Sequence, residues 1–207
     1  EDPLGINGLG WDTPIPKVLH KQLEKSLEII KDISSKELYI PRSFYPKNHG
    51  TPTHQQLFAF ADASDLALCY VIYLRTVTSD GKIHVAFVCG STKVLPKGVC
   101  LKGQLSIPRA ELNAATELAK KVLEVETELD IPDLQPTVFY SDSKDVLDWI
   151  QKDNPKEPRK RYVVSRITTI RLISKPDQWN YIATDHNPAD YGTRPISVKD
   201  LRASEPG

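Results

Sequence analysis

The sequence predicts an α/β fold: one mixed five-stranded sheet with helices on its faces. Three observations predict it. Between Leu57 and Thr92, three apolar runs rich in strand formers follow one another across tight connections, as in an antiparallel meander. From Ser106 the apolar period lengthens to that of a helix, and two further strand-like runs then alternate with helical segments. Hydrophobic residues at 40% and charged residues at 26% give the chain enough apolar surface to bury a core. A meander followed by strands that alternate with helices forms a single mixed sheet.

The elements follow in order. Residues 1–55 read as a connection, 56–200 as the domain and 201–207 as a tail. After a Gly-rich lead-in, Trp11 to Pro16 carries helix-start chemistry, with Asp12 or Thr13 as the cap. From Lys17 to Ile33, Leu19, Leu23, Leu27 and Ile30 fall at helical spacing. That apolar stripe must lie on the following domain or on a neighbouring one. Residues 39–56 hold three prolines and a glycine, which suits an extended linker. Leu57 to Ala61, Ala67 to Thr76 and Ile83 to Thr92 are the first three strands, with Asp80-Gly81 as the hairpin dipeptide between the last two. Ser106 and Pro108 open a helix on which Glu111, Ala115, Leu118 and Val122 share one face; Pro132 and Pro136 end that region. Thr137 to Ser141 is the fourth strand, Ser143 to Gln151 a short helix, and Arg159 to Ser174 a longer one after Pro155 and Pro158. Gln178 to Ala183 reads as the fifth strand. Asn187-Pro188 opens a last helix, kept short by Gly192 and Pro195.

Charge and cysteine usage narrow the function. Twenty-seven basic and 27 acidic residues leave no net charge, which excludes a strongly basic nucleic-acid-coating protein and an acidic disordered tail. No apolar run approaches the ~20 residues of a membrane span, and no signal-peptide pattern opens the chain. Cys69, Cys89 and Cys100 form no CxxC pair, which argues against a disulfide framework and a zinc finger and fits a reducing compartment. The sequence has no methionine, so it reads as a piece of a longer polypeptide.

The informative residues are acids standing where apolar or neutral residues are expected. Asp62 ends the first strand in parity with Phe58 and Phe60, so it continues a hydrophobic face. Glu111 lies on the core face of its helix, Asp142 ends the fourth strand in parity with Val138 and Tyr140, and Asp190 lies in the first turn of the last helix. Each has a local explanation. Asp62 can begin an Asx turn, Glu111 can favour the helix N-terminus, Asp142 can cap the helix from Ser143, and Asp190 can close a capping box with Asn187. Together these explanations weaken, because two adjacent strand ends and two helix starts can bring four carboxylates to one place. Their repulsion would force some to protonate unless cations intervene. Oxygen donors without thiols point to Mg²⁺ or Mn²⁺ rather than zinc.

The segments FADAS (60–64), IPRAEL (107–112), YSDSKDVLDWI (140–150) and HNPADYGTR (186–194) closely resemble the ribonuclease H domain of BEL/Pao-type LTR retrotransposon polyproteins. LGWDTPIP (9–16) resembles the stretch that joins reverse transcriptase to ribonuclease H there. The resemblance implies a ribonuclease H-like fold that cuts the RNA strand of RNA–DNA hybrids and leaves a 3′-hydroxyl and a 5′-phosphate. It implies that Asp62, Glu111, Asp142 and Asp190 hold two Mg²⁺ or Mn²⁺ ions. Asp62, from a central strand, would bridge both ions, Glu111 and Asp142 would hold the first, and Asp190 the second. Two cations about 3.5–4 Å apart can clamp an in-line displacement at phosphorus. Many ribonucleases H carry a mobile histidine some ten residues before the last aspartate. Here His186 precedes Asp190 by four, and it is either a product-release group or a loop histidine without a role.

Residues 155–171 set six basic side chains, among them Arg159, Lys160, Arg161 and Arg166, against Glu157 alone. They are either a solvated face or a modest phosphate contact, with weak, salt-sensitive binding. The 2′-hydroxyls of RNA would be read in the minor groove, with main chain near Ala63-Ser64 and the side chains of Asn113 and Ser143 as candidates. The reverse transcriptase domain of the same polyprotein is the expected protein partner. A retroelement enzyme is expected in cytoplasmic particles, a host-domesticated one in the nucleus. Two rivals stand beside this reading. A transposase or integrase would order its acids Asp, Asp, Glu, whereas this chain runs Asp, Glu, Asp, Asp. A domesticated, non-catalytic module would keep the fold and bind protein or nucleic acid.

Overall fold

The computed structural model describes residues 12–34, 41–45, 50–95, 106–152 and 161–194. The chain divides into two units, Pro41–Pro195 and the remainder, Glu1–Ile40 with Ile196–Gly207. In the second unit, helix α1 spans Lys17–Ser34. It starts later than Asp12 or Thr13 would have it, and both lie in the turn ahead of it. The residue before a proline is driven to extended backbone, so Pro14 and Pro16 keep Thr13 and Ile15 out of the helix. The first turn is closed when Leu19 N–H donates to the Pro16 carbonyl at 2.9 Å. Leu23, Leu27 and Ile30 are exposed along α1.

Unit Pro41–Pro195 holds β1 (Pro52–Ala63), β2 (Ala67–Thr78), β3 (Ile83–Val94), α2 (Ile107–Leu129), β4 (Gln135–Ser141), α3 (Lys144–Gln151), α4 (Arg161–Ile173) and β5 (Trp179–Tyr181). The sheet order is β3-β2-β1-β4-β5. β1, β2 and β3 pair antiparallel, while β4 is parallel to β1 and β5 to β4. This is the expected mixed sheet. β1 begins five residues before the expected Leu57, because the polar stretch 52–56 pairs with Arg75 to Thr78 of β2. Pro52 is tolerated as the first strand residue, where no ladder donor is needed. The Asp80-Gly81 turn forms as expected, with Gly81 at φ +76°, a left-handed backbone that glycine adopts without penalty. β5 is cut to three residues by flanking 3-10 turns, Pro176–Gln178 and Thr184–His186. The last helix is a single 3-10 turn, Pro188–Gly192.

The core lies between one sheet face and α2, α3 and α4. Leu57, Ala59 and Ala61 of β1 are fully buried with Leu68, Ile72 and Leu74 of β2, Phe139 of β4 and Trp179 of β5. Against them pack Ala114, Ala115, Leu118 and Val122 of α2, Val146 and Ile150 of α3, and Ile167 and Ile170 of α4. Alanines on both β1 and α2 let that helix approach closely. Each fully buried leucine, isoleucine or phenylalanine contributes about 1.5–3 kcal/mol relative to exposure. Phe139 and Trp179 stack at 4.6 Å, and the Trp179 Nε1–H donates to Ser174 Oγ at 2.9 Å, so the indole is buried without an orphaned donor. The parity expected for β1 holds, and its hydrophobic face with Phe58 and Phe60 is the one turned away from the main core. Phe58 and Phe60 lie on the opposite, half-buried face, stacked on Tyr140 at 6.2 and 5.0 Å. That face receives the 3-10 turn Pro188–Gly192, whose Ala189 packs on Cys69 and Val71. Among the described residues, no helix is long and apolar enough to cross a membrane.

Candidate active site

Parallel pairing sets two acids side by side. Ala61 of β1 is in register with Ser141, the last residue of β4; Asp62 is the next residue of β1, and Asp142 directly follows β4. Adjacent parallel strands are about 4.8 Å apart, so the two carboxylates start from neighbouring strand ends. Asn187 brings in the segment that carries Asp190. Its Nδ2–H donates to the Ala61 carbonyl at 3.1 Å, and its Oδ1 accepts from Ala189 N–H at 3.2 Å. Glu111 joins from α2 because the Ser143 hydroxyl donates to its Oε2.

Local roles do not account for these acids. Ser143, not Asp142, caps α3 by accepting from Val146 N–H. Ser64, not Asp62, closes the β1–β2 turn, its Oγ accepting from Leu66 and Ala67 N–H. Glu111 is the fifth residue of α2, past its first turn. Asn187 caps its turn through Ala189 N–H, while the Asp190 carboxylate faces Arg194.

The electrostatics of Asp62 and Glu111 are unfavourable. Asp62 is only 7% exposed, and burial first, then the charges of Asp142 and Asp190, push its carboxyl above the usual range. The Thr193 hydroxyl, donating to Asp62 Oδ2 at 2.6 Å, opposes that rise. Glu111 is likewise raised by burial and then by Asp142, Asp62 and Asp145, against the Ser143 hydrogen bond. Thr184 Oγ1–H donates to Asp142 Oδ2 at 2.8 Å. Arg194 Nη2 comes within 2.6 Å of Asp190 Oδ1 but is not aligned for a hydrogen bond. Among the described residues, that oxygen and Asp142 Oδ1 are the buried polar side-chain atoms without a hydrogen-bond partner. All-carboxylate donors, with Asp142 Oδ1 buried and without a hydrogen-bond partner, suit a hard cation such as Mg²⁺ or Mn²⁺. The arrangement is not a finished metal site, however. Among the described residues, no three Asp, Glu, His or Cys side chains are grouped so as to hold an ion. Three of the acids are turned onto hydroxyls and the fourth faces a guanidinium.

The expected nucleic-acid residues are distributed as follows. Ser64 Oγ–H donates to the Thr193 carbonyl at 2.8 Å, and Ser143 serves Glu111 and α3. Asn113 Oδ1 accepts from Arg166 Nε–H at 3.2 Å. Arg166 lies 3.5 Å from the centre of the Tyr162 ring, and Arg109 lies 5.5 Å from it. Arg161 is exposed at the start of α4, and Arg159 and Lys160 lie outside the described residues. His186 is exposed in the turn Thr184–His186. Thr193 and Arg194 stand in the HNPADYGTR motif, but neither they nor Thr184 were legible as partners of the acids, because nothing in the sequence says which distant carboxylate each one meets.

A mixed sheet in this order, with acids at the carboxyl ends of β1 and its parallel neighbour β4, defines the class as a ribonuclease H-like domain. More narrowly, residues 4–143 match the family described as the Pao retrotransposon-like RNaseH-like domain, and the chain belongs to that family. The match takes in Asp62, Glu111 and Asp142 and ends before His186 and Asp190. No curated protein matches the sequence. Among solved structures, an N-terminal RNase H domain from Mycobacterium tuberculosis, fused to maltose-binding protein, is similar at 12% identity and TM-score 0.42, covering 72% of this chain and 94% of that one. LC11-RNase H1 in complex with an RNA/DNA hybrid is similar at 14% identity and TM-score 0.42, covering 71% and 99%. A foamy viral protease-reverse transcriptase in complex with double-stranded DNA is similar at 13% identity and TM-score 0.41, covering 84% of this chain and 28% of that one.

Proposed function

We propose that this domain hydrolyses the RNA strand of RNA–DNA hybrids during retroelement reverse transcription, with two Mg²⁺ or Mn²⁺ ions. One observation carries the reading: Asp62 and Asp142 follow paired residues of adjacent parallel strands, where Asp62 meets the charges of Asp142 and Asp190, and Glu111 those of Asp142 and Asp62. Asp62 would serve both ions, Glu111 and Asp142 one, and Asp190 the other. Ions bound there supply activation of water and stabilisation of the departing 3′-oxygen. The protein's own part is to gather the carboxylates and to hold three of them, Asp62, Glu111 and Asp142, on hydroxyl donors. Arg166 and Arg109, lying over Tyr162 beside the start of α2, are suited to backbone phosphates of the hybrid. The reverse transcriptase domain of the parent polyprotein would supply most of the grip, in cytoplasmic replication particles.

A second reading, a domesticated module that binds without cutting, is favoured by the guanidinium of Arg194 against Asp190. A labelled hybrid with Mg²⁺ separates the two. Under the first reading wild type cleaves and Asp142→Asn, still folded, does not; turnover retained in that variant removes Asp142 from the machinery.

A further inference from the structure

Asp62, Glu111 and Asp142 each keep one carboxylate oxygen on a hydroxyl: Thr193 on Asp62, Ser143 on Glu111, Thr184 on Asp142. The donors are not equivalent. Ser143 also caps α3, and Thr184 is exposed. Thr193 is 2% exposed, and its main chain is already engaged on both sides. Its N–H donates to the Asp190 carbonyl at 3.2 Å, and its carbonyl accepts from Ser64 Oγ at 2.8 Å. Its hydroxyl reaches two acceptors, Asp62 Oδ2 at 2.6 Å and the Asp190 carbonyl at 3.1 Å. One proton serves one acceptor at a time, and the nearer, charged one makes the stronger bond.

On this basis, and resting on the ribonuclease H reading above, we propose that Thr193 is a positioning residue that holds the Asp62 carboxylate for cation binding. A neutral donor suits that task. It steadies an ionised carboxylate and keeps its bond when a dication arrives, whereas a guanidinium in the same place would be repelled by the incoming charge. Thr193 also ties the ligands together, since it stands three residues after Asp190 on the segment that Asn187 bolts to β1. Loss of such an outer hydrogen bond typically costs 10–100-fold in metal affinity or activity.

The test is a Mg²⁺ titration of the melting temperature of the 207-residue chain, paired with hybrid cleavage at each Mg²⁺ concentration. Thr193→Val keeps the side-chain shape and removes the donor; Thr193→Ser keeps the donor. The half-saturating Mg²⁺ concentration is expected to rise about 10–100-fold in the valine variant and to return close to the wild-type value in the serine variant. Should the valine variant not fold, Thr193→Ala reads the same loss. If the donor-less variant melts lower without metal yet titrates with Mg²⁺ as wild type does, the residue is merely structural and the proposal is overturned. A wild type that responds to Mg²⁺ and cleaves confines that failure to Thr193. A wild type that neither responds nor cleaves overturns the ribonuclease H reading and this inference together.

Discussion

Alanine at Gly192 places a methyl group where the structure has no room for one. Its Cβ would lie 2.2 Å from Cys69 Sγ, 2.7 Å from Thr92 Oγ1 and 3.0 Å from Cys69 Cβ. Cys69 is buried, so its sulfur cannot swing into solvent, and the turn must lift away from β2 instead. Overpacking of this kind costs about 1–3 kcal/mol. At about 2–4 °C per kcal/mol for a domain of this size, the melting temperature should fall by roughly 2–12 °C. Cys69→Ala removes the nearest atom, so a double-mutant cycle should recover about 0.5–3 kcal/mol as coupling. Urea denaturation of wild type, both single variants and the double variant measures it. Because the lifted turn carries Asp190 and Thr193, hybrid cleavage in Gly192→Ala should fall further than its stability alone accounts for. A Gly192→Ala midpoint equal to wild type, or strict additivity in the cycle, would refute the packing argument.

Other outcomes follow from the same geometry. Asn187→Ala leaves the buried Ala61 carbonyl without its side-chain donor and should cost about 1–3 kcal/mol in denaturant unfolding. Asp62 and Glu111 have raised carboxyls in the folded state, so in the unfolded chain they ionise at lower pH. Stability without metal should therefore fall as pH rises from the ordinary carboxylate range through the raised folded values. Mg²⁺ should restore more stability at neutral pH than in acid, as read by paired thermal melts. Arg194→Ala should leave the fold intact and reduce the Mg²⁺ needed for half-maximal stabilisation, since it removes a cation that faces Asp190.

The strands and helices were legible because their periods differ and their turns carry Gly and Pro. What failed did so for physical reasons. Alternation showed that Phe58 and Phe60 share a face but not which face α2 covers; α2 packs against small residues, and Ala59 and Ala61 meet that need. Residues 52–56 looked like linker because they are polar; they are strand because β2 offers them a partner, which no local pattern reveals. The acids stood out because a carboxylate at a strand end or on a core face is expensive. The pairing of Thr193 with Asp62 did not, since the two lie 131 residues apart and a threonine carries no cost that calls attention to its partner.

The proposed role of the four carboxylates is to cut RNA paired with DNA. End-labelled RNA should therefore be presented to the protein as a hybrid with DNA, as an RNA duplex and as a single strand, each with Mg²⁺ and with chelator. If the proposed function holds, the hybrid alone is cleaved, in Mg²⁺ alone, with 5′-phosphate and 3′-hydroxyl ends. Intact hybrid RNA in both Mg²⁺ and Mn²⁺, or equal cutting of all three substrates, would contradict it.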